Sequence, residues 1–316
     1  MRLREGIEAY IEARKSEGTP WVKGAQNLRA LYRNVGDLPL DRIRVNQVVP
    51  ILDGPLTSAA TWYNKYGALR QFFRYWKVRN EIYRLPLPPP RRAPAQTFVP
   101  YVYSRAELRR LLVATGITQR DLNCVIDART FRTLLLFLYE TGAMLGEAVQ
   151  LERGDVDFRR RRITLSGCKT RRARELPIGY DLYDILLEYH RAHHHKGTMR
   201  DSSFFLTKDG SQIKEGTANK TFRRVRRKAG IARNDGARYQ PRMHDLRHNF
   251  AVHRLTAWFK HGADMGRMIP ALSAYMGQHD LGAAERYLRL TPERFRAQLE
   301  NSALDGPRRS GETTPS

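Results

Sequence analysis

The chain of 316 residues has only two cysteines, Cys124 and Cys168, at unrelated positions. Two cysteines without metal-ligand spacing exclude a disulfide framework and a cysteine-built zinc site, and they fit a reducing, cytoplasmic setting. Long apolar runs are missing too. The longest, Leu134 to Tyr139, falls far short of the roughly 20 residues a membrane-spanning helix needs. The N-terminus, Met1-Arg2-Leu3-Arg4-Glu5, turns polar at once and has no apolar core of the kind a secretory leader requires. A glycine-rich phosphate loop and a carboxylate cluster are also lacking, which leaves open a chemistry that uses neither nucleotide nor metal.

Negative charge is the last scarcity. Against 32 Asp and Glu stand 56 Lys and Arg, a net charge of +24, with an isoelectric point near 10.5. That lies well above the roughly 9 that marks nucleic-acid binders. A basic protein with no polyanion partner is the bland alternative. The cations recur along the whole chain and not in one tail, which favours a broad polyanion-binding surface. A hydrophobic fraction of 41% is enough for buried cores.

Proline is locally abundant. Leu85 to Ser104 contains Pro86, Pro88, Pro89, Pro90, Pro94 and Pro100, and fixed φ with missing backbone donors predicts an extended, semi-rigid connector there. The expected organisation is a helical domain over 1–85, a connector over 86–103, a second domain over 104–305 and a disordered polar tail over 306–316. The expected fold is mainly α: a helical N-terminal domain, then a mixed, mostly helical domain with a small antiparallel β-hairpin or sheet.

Local patterns support that division. Trp62, Tyr66, Leu69, Phe73 and Trp76 recur at spacings of four and three behind Thr57-Ser58, the apolar stripe of an amphipathic helix. Lys65, Arg70, Arg74 and Lys77 occupy its other faces, as a solvated surface or as phosphate contacts. On so cationic a chain the second reading is preferred. Ser104-Arg105-Ala106-Glu107 is a capping-box pattern, and Thr130 to Glu140 reads as a central buried helix. Asp155 to Ile178 alternates with turn signals, as a short antiparallel hairpin does. Asn219 to Gly230 predicts a helix with Phe222, Val225 and Ala229 inward. Arg223, Arg224, Arg226, Arg227 and Lys228 are expected outward, with Arg223, Arg224 and Arg227 as candidate DNA contacts. His190 and His193-His194-His195 could form a metal cluster, but as cations at a helix C-terminus they have a simpler reading.

The residues that carry chemistry lie further on. In Arg242-Met243-His244-Asp245-Leu246-Arg247-His248, His244 and Arg247 stand at i and i+3, so on a helix both can reach one phosphate. Forty residues after Arg247 comes Tyr287, between Arg286 and Leu288-Arg289. Phosphoryl transfer from DNA to a phenol needs a nucleophile, donors for the non-bridging oxygens, an acid for the leaving 5′-oxygen and help in deprotonating the phenol. A phenol of ordinary pKa near 10 is a poor nucleophile without cationic neighbours. Alone, either motif is weak; a lone tyrosine on a helix is more often core.

Together these segments resemble the tyrosine recombinase (phage integrase) family over nearly the whole chain. Thr141-Gly142-Ala143-Met144-Leu145-Gly146-Glu147 resembles the family's first box, Thr-Gly-x-Arg-x-x-Glu. Gly167-Cys168-Lys169-Thr170, with Lys169 eight residues before Pro177, is similar to the hairpin that carries the family's catalytic lysine. The resemblance implies that Tyr287 forms a 3′-phosphotyrosyl link and that Arg247 holds a non-bridging oxygen. It further implies that Lys169 protonates the 5′-oxygen and that His244 acts in proton transfer. Its further implications are a helical core-binding domain before the connector, a catalytic domain after it, double-stranded DNA as partner and multimers, tetramers on DNA. No cofactor is implied, because the phosphotyrosyl bond conserves the energy of the broken phosphodiester.

Two positions depart from the pattern. Met144 stands where the family has its first arginine, and Gln278 where it has His or Trp; His279 is next to it. Loss of one preorganised donor costs about 2.7–4 kcal/mol. Met144 has three readings: a natural loss of chemistry, rescue by another arginine such as Arg153 or Arg171, or a changed codon, AUG for AGG. The leading expectation is therefore an integrase or transposase of a mobile element. The runner-up is a DNA-binding architectural subunit with weak or no cleavage. A monomeric topoisomerase is disfavoured by the small first domain, and the N-terminal segment is expected to be too short for an additional arm-binding domain. Target sequence and direction of reaction are not encoded legibly.

Overall fold

The computed structural model describes residues 1–18, 21–54, 58–91, 100–119, 124–166, 173–193, 199–235, 237, 239–278 and 287. Two compact units emerge, Met1–Thr97 and Phe98–Ser316.

The first unit is helical: α1 (Leu3–Ser16), α2 (Val22–Val35), α3 (Val45–Leu52) and α4 (Ala59–Val78). Ser58 caps α4 by accepting from the Thr61 amide, satisfying one of the orphan donors of its first turn. The aromatic stripe of α4 is the core of the unit. Trp62, Tyr66, Leu69, Phe73 and Trp76 are buried with Phe72, Leu3, Ile7, Leu28 and Leu31. Each large side chain so buried stabilises the unit by about 1.5–3 kcal/mol. The start of the proline-rich segment is strapped back onto α4. Tyr66 donates to the Pro88 carbonyl at 3.1 Å, and Arg91 lies over the Trp62 ring while pairing with Asp53 at 2.7 Å.

The cations of α4 differ among themselves. Arg70, Arg74 and Lys77 are exposed. Lys65 is half-buried, and its ammonium donates to the Ile51 carbonyl at 2.8 Å, tying α4 to the end of α3.

The second unit comprises α5 (Arg105–Thr118), α6 (Ala128–Thr141), α7 (Leu145–Val149), β1 (Val156–Asp157), β2 (Arg162–Leu165), β3 (Arg174–Pro177), α8 (Tyr180–His193), α9 (Glu215–Lys228), α10 (Asp245–Lys260) and α11 (Met265–Tyr275). The Ser104–Glu107 capping box opens α5. The apolar α6 is central, packed against α5, α8 and α10, and Gly142 ends it in the left-handed region with φ 62°. Buried Asn249 accepts from the Tyr103 amide and donates to its carbonyl, at 3.0 and 2.7 Å, pinning the chain before α5 to α10.

The sheet has three antiparallel strands in the order β1-β2-β3. Asp157 accepts from the amides of Arg159 and Arg160. That closes the turn and sets Val156 opposite Ile163, adding a strand to the expected hairpin.

The basic helix α9 corrects one expectation. Phe222 and Val225 are buried as expected, but so is Arg226, at 8% exposure, with Nη1 on Gln240 at 2.9 Å. Arg226 follows the inward Val225 directly, and its long stem lets the polar head reach that partner. Arg224 is half-buried and donates to Gln119, whereas Arg223 and Arg227 are exposed.

Among the described residues no helix is long and apolar enough to cross a membrane, and no group of three or more His, Cys, Asp or Glu could hold a metal ion. His190 packs on Phe158 and Phe204, and His193 pairs with Asp127 at 3.6 Å. His194, His195 and the tail 306–316 lie outside the described residues.

Candidate active site

The site is built on the first turn of α10. His244 occupies the N-cap position and is exposed, while Arg247 is only 4% exposed. Arg247 donates from Nη1 to the Gly142 carbonyl and from Nη2 to the Met276 carbonyl, both at 2.6 Å. It therefore links the end of α6 to the turn after α11. Gly142 must be glycine for this. Its φ is positive, and an added Cβ would lie 2.5 Å from Phe250 Cδ1.

The turn that receives Arg247 leads to the phenol. Gln278 donates from Nε2 to the Tyr287 hydroxyl at 2.6 Å. Tyr287 is helical and 4% exposed, packed with Phe250, Leu272 and Met276. Its ring lies 5.6 Å from that of His248, which in turn lies 5.4 Å from that of His244. The structure thus gathers His244, Arg247, Gln278 and Tyr287 into one cluster. Lys169 falls in the connection between β2 and β3, outside the described residues, as does His279.

A second guanidinium borders this cluster. Arg174 makes a bidentate pair with Glu147, Nη1 to Oε1 at 2.7 Å and Nη2 to Oε2 at 3.0 Å, and its Nε donates to the Tyr275 carbonyl at 3.0 Å. The Met144 amide donates to the same Oε2 at 2.8 Å. Burial works to raise the pKa of the Glu147 carboxyl. The Arg174 hydrogen bonds, the Met144 amide and the charges of Arg174 and Arg247 outweigh burial and hold it below its ordinary value. The half-buried Met144 side chain has no donor to offer. Of the arginines named as possible rescuers, Arg153 lines a different cavity of about 690 Å³ with Arg159, Arg160, His190 and Arg200. Arg171 lies outside the described residues.

Sequence reasoning missed His248 and Arg174. His248 carried a signal, being one helical turn from His244. Arg174 carried one as well: alternation along β3 puts it on the face of buried Leu176, opposite buried Leu165. An arginine on an inward strand face needs hydrogen-bond acceptors there, and a buried carboxylate is the strongest one.

The phage integrase family model matches residues 113–294, more than half of the chain and the span that holds all of these residues. The chain belongs to the phage integrase family. It is 30% identical to the integrase/recombinase y4rE of Sinorhizobium fredii, whose name marks its activity as inferred, over 96% of this chain and 97% of that one. It is 29% identical to the tyrosine recombinase XerA of Thermococcus onnurineus, over 75% of this chain and 73% of that one. Among solved structures, a lambda integrase dimer bound to a core site shares the fold with a TM-score of 0.64 at 16% identity, covering 89% of this chain and 96% of that chain. The Tn1549 transposon integrase, in complex with a circular intermediate DNA, does so with a TM-score of 0.66 at 17% identity, covering 95% and 99%. Membership in the integrase family supports site-specific recombination, and DNA strand transfer, as the general activity.

Proposed function

We propose that this integrase-family chain cuts and rejoins double-stranded DNA through a 3′-phosphotyrosyl intermediate on Tyr287. The Tyr287 oxygen attacks the scissile phosphorus, the bond from phosphorus to the 5′-oxygen breaks, and the 5′-hydroxyl leaves with a proton from Lys169. Arg247 steadies a non-bridging oxygen, His244 takes up the proton that the phenol releases as it attacks, and Gln278 holds the phenol. Rejoining reverses the step with the 5′-hydroxyl of another strand. Exposed Arg70, Arg74, Lys77, Arg223 and Arg227 contact backbone phosphates, with Lys65 and Arg224 as partly tethered members of the same set. The protein works as a multimer on DNA. A lambda integrase of the same fold is recorded as a tetramer bound to a Holliday junction.

The observation that carries this reading is the short contact from Gln278 to the Tyr287 phenol, beside the turn that Arg247 grips. The test is a nicked duplex that traps the covalent intermediate, its site selected from a random-sequence pool by the Tyr287→Phe chain. An SDS-resistant adduct from the native chain, lost in Tyr287→Phe, supports the enzyme. The donorless Met144 favours a second reading, an architectural subunit that binds DNA without cutting it. No adduct from the native chain, with one appearing in Met144→Arg, supports that reading.

A further inference from the structure

We propose that Arg174 supplies the second guanidinium contact to the scissile phosphate, the contact that Met144 lacks. This inference rests on the proposed strand transfer and names a further residue for it. Position decides the assignment. The Met144 amide and Arg174 Nη2 converge on one atom, Glu147 Oε2, so the guanidinium sits beside the backbone of residue 144.

Aim follows from the turn after α11. Arg174 donates to the Tyr275 carbonyl and Arg247 to the Met276 carbonyl, so the two guanidiniums hold consecutive carbonyls. Two residues further on, Gln278 holds the Tyr287 phenol. Gly277 permits the close approach: an added Cβ would stand 3.1 Å from Arg174 Nη1, at a φ of 65°. Capacity also suffices. Of the five N–H groups of a guanidinium, the Tyr275 carbonyl and Glu147 take three; the two left point to opposite edges, so one is available to a phosphate. The side chain is 11% exposed. One carboxylate between two guanidiniums leaves the cluster a net cation, as an anionic transition state requires.

The probe is the duplex selected by the Tyr287→Phe chain, remade as a series in which one phosphate at a time becomes a neutral methylphosphonate. Binding of the wild-type chain weakens wherever a gripped phosphate is neutralised. In the paired variant Arg174→Gln with Glu147→Gln, which removes both buried charges at similar volume, that penalty disappears at one phosphate. Arg247→Lys reduces the penalty at the same phosphate. The salt slope of binding falls by about 1. Arg174→Lys, which keeps the charge without the fork, retains part of the penalty and serves should the paired variant not fold.

An unchanged interference pattern in whichever of these variants folds overturns the proposal. Because this readout needs no cleavage, it stands even if the native chain forms no adduct, a result that would sink the enzymatic reading instead. In adduct formation the paired variant is slower by about 10²–10³-fold. A methylphosphonate at the scissile position narrows that gap, since less charge needs stabilising. A gap of the same size on the neutral substrate would make Arg174 structural alone and overturn its phosphate role.

Discussion

Gln278 Nε2 donates to the phenolic oxygen of Tyr287 at 2.6 Å, while its Oε1 is buried without a hydrogen-bond partner among the described residues. The amide is therefore held by the phenol and by packing, and it meets the oxygen on which negative charge gathers as the proton leaves. A hydrogen bond to a charged group is worth about 1.5–3 kcal/mol. Gln278→Leu should slow adduct formation by about 10–150-fold, as that energy converts, with DNA affinity unchanged. Gln278→His, which keeps a donor, should lose less. A Leu variant that cleaves at the wild-type rate would show that the contact plays no part in the reaction.

Met144→Arg places a guanidinium where the first box resembles Thr-Gly-x-Arg-x-x-Glu. Glu147 already accepts from both the residue 144 amide and Arg174, so the new arginine enters a site with one guanidinium present. Cleavage should rise, by less than the about 10²–10³-fold expected if a donor were wholly missing. Equal rates for the two chains in the nicked-duplex assay would show that position 144 does not limit the reaction.

Much of this arrangement was legible in the sequence because it rests on local periodicity. The stripe from Trp62 to Trp76, the Ser104–Glu107 box and the apolar α6 depend on neighbours within a few turns, and residue spacing reports such neighbours directly. His244 and Arg247 were legible for the same reason. The partners of Arg226 and Arg174 were not. Arg226 meets Gln240 and Arg174 meets Glu147 across loops, and a long cationic side chain on an inward face looks like an outward one until its acceptor is known. Met144 showed what was missing from the first box, whereas only the bonds of Arg174 to Glu147 and to the Tyr275 carbonyl showed what stands beside it.

The Glu147–Arg174 pair should also be visible in the acid stability of the fold. The folded carboxyl titrates below its ordinary 4.5, so Glu147 contributes stability in full above about that pH. The contribution is lost as pH falls through the lower folded value. Glu147→Gln should destabilise the chain at neutral pH by about 3 kcal/mol, since breaking a buried pair leaves Arg174 without its counter-charge. Melting temperatures of the two chains should then approach each other as the pH falls from 4.5 through the lower folded value. A constant difference across that window would mean that the pair is not coupled to the protonation of Glu147.

The basic face of α4 separates two kinds of cation that composition cannot distinguish. Lys65 donates to the Ile51 carbonyl and so helps hold α4 against α3, whereas Arg74 is exposed. A cation on a DNA phosphate releases counterions and contributes about 0.9 to the logarithmic salt slope of binding. A cation on a helix-end carbonyl contributes to folding, about 1.5–3 kcal/mol for a charge-assisted hydrogen bond. Arg74→Ala should therefore flatten the salt slope by about 0.9 at an unchanged melting temperature. Lys65→Ala should lower the melting temperature and, because its ammonium is partly tethered, flatten the slope by less than Arg74→Ala does. If the Lys65 variant instead melts normally and loses salt dependence, its ammonium leaves Ile51 for the phosphate backbone when DNA binds, and Lys65 joins the contact surface on the same footing as Arg74.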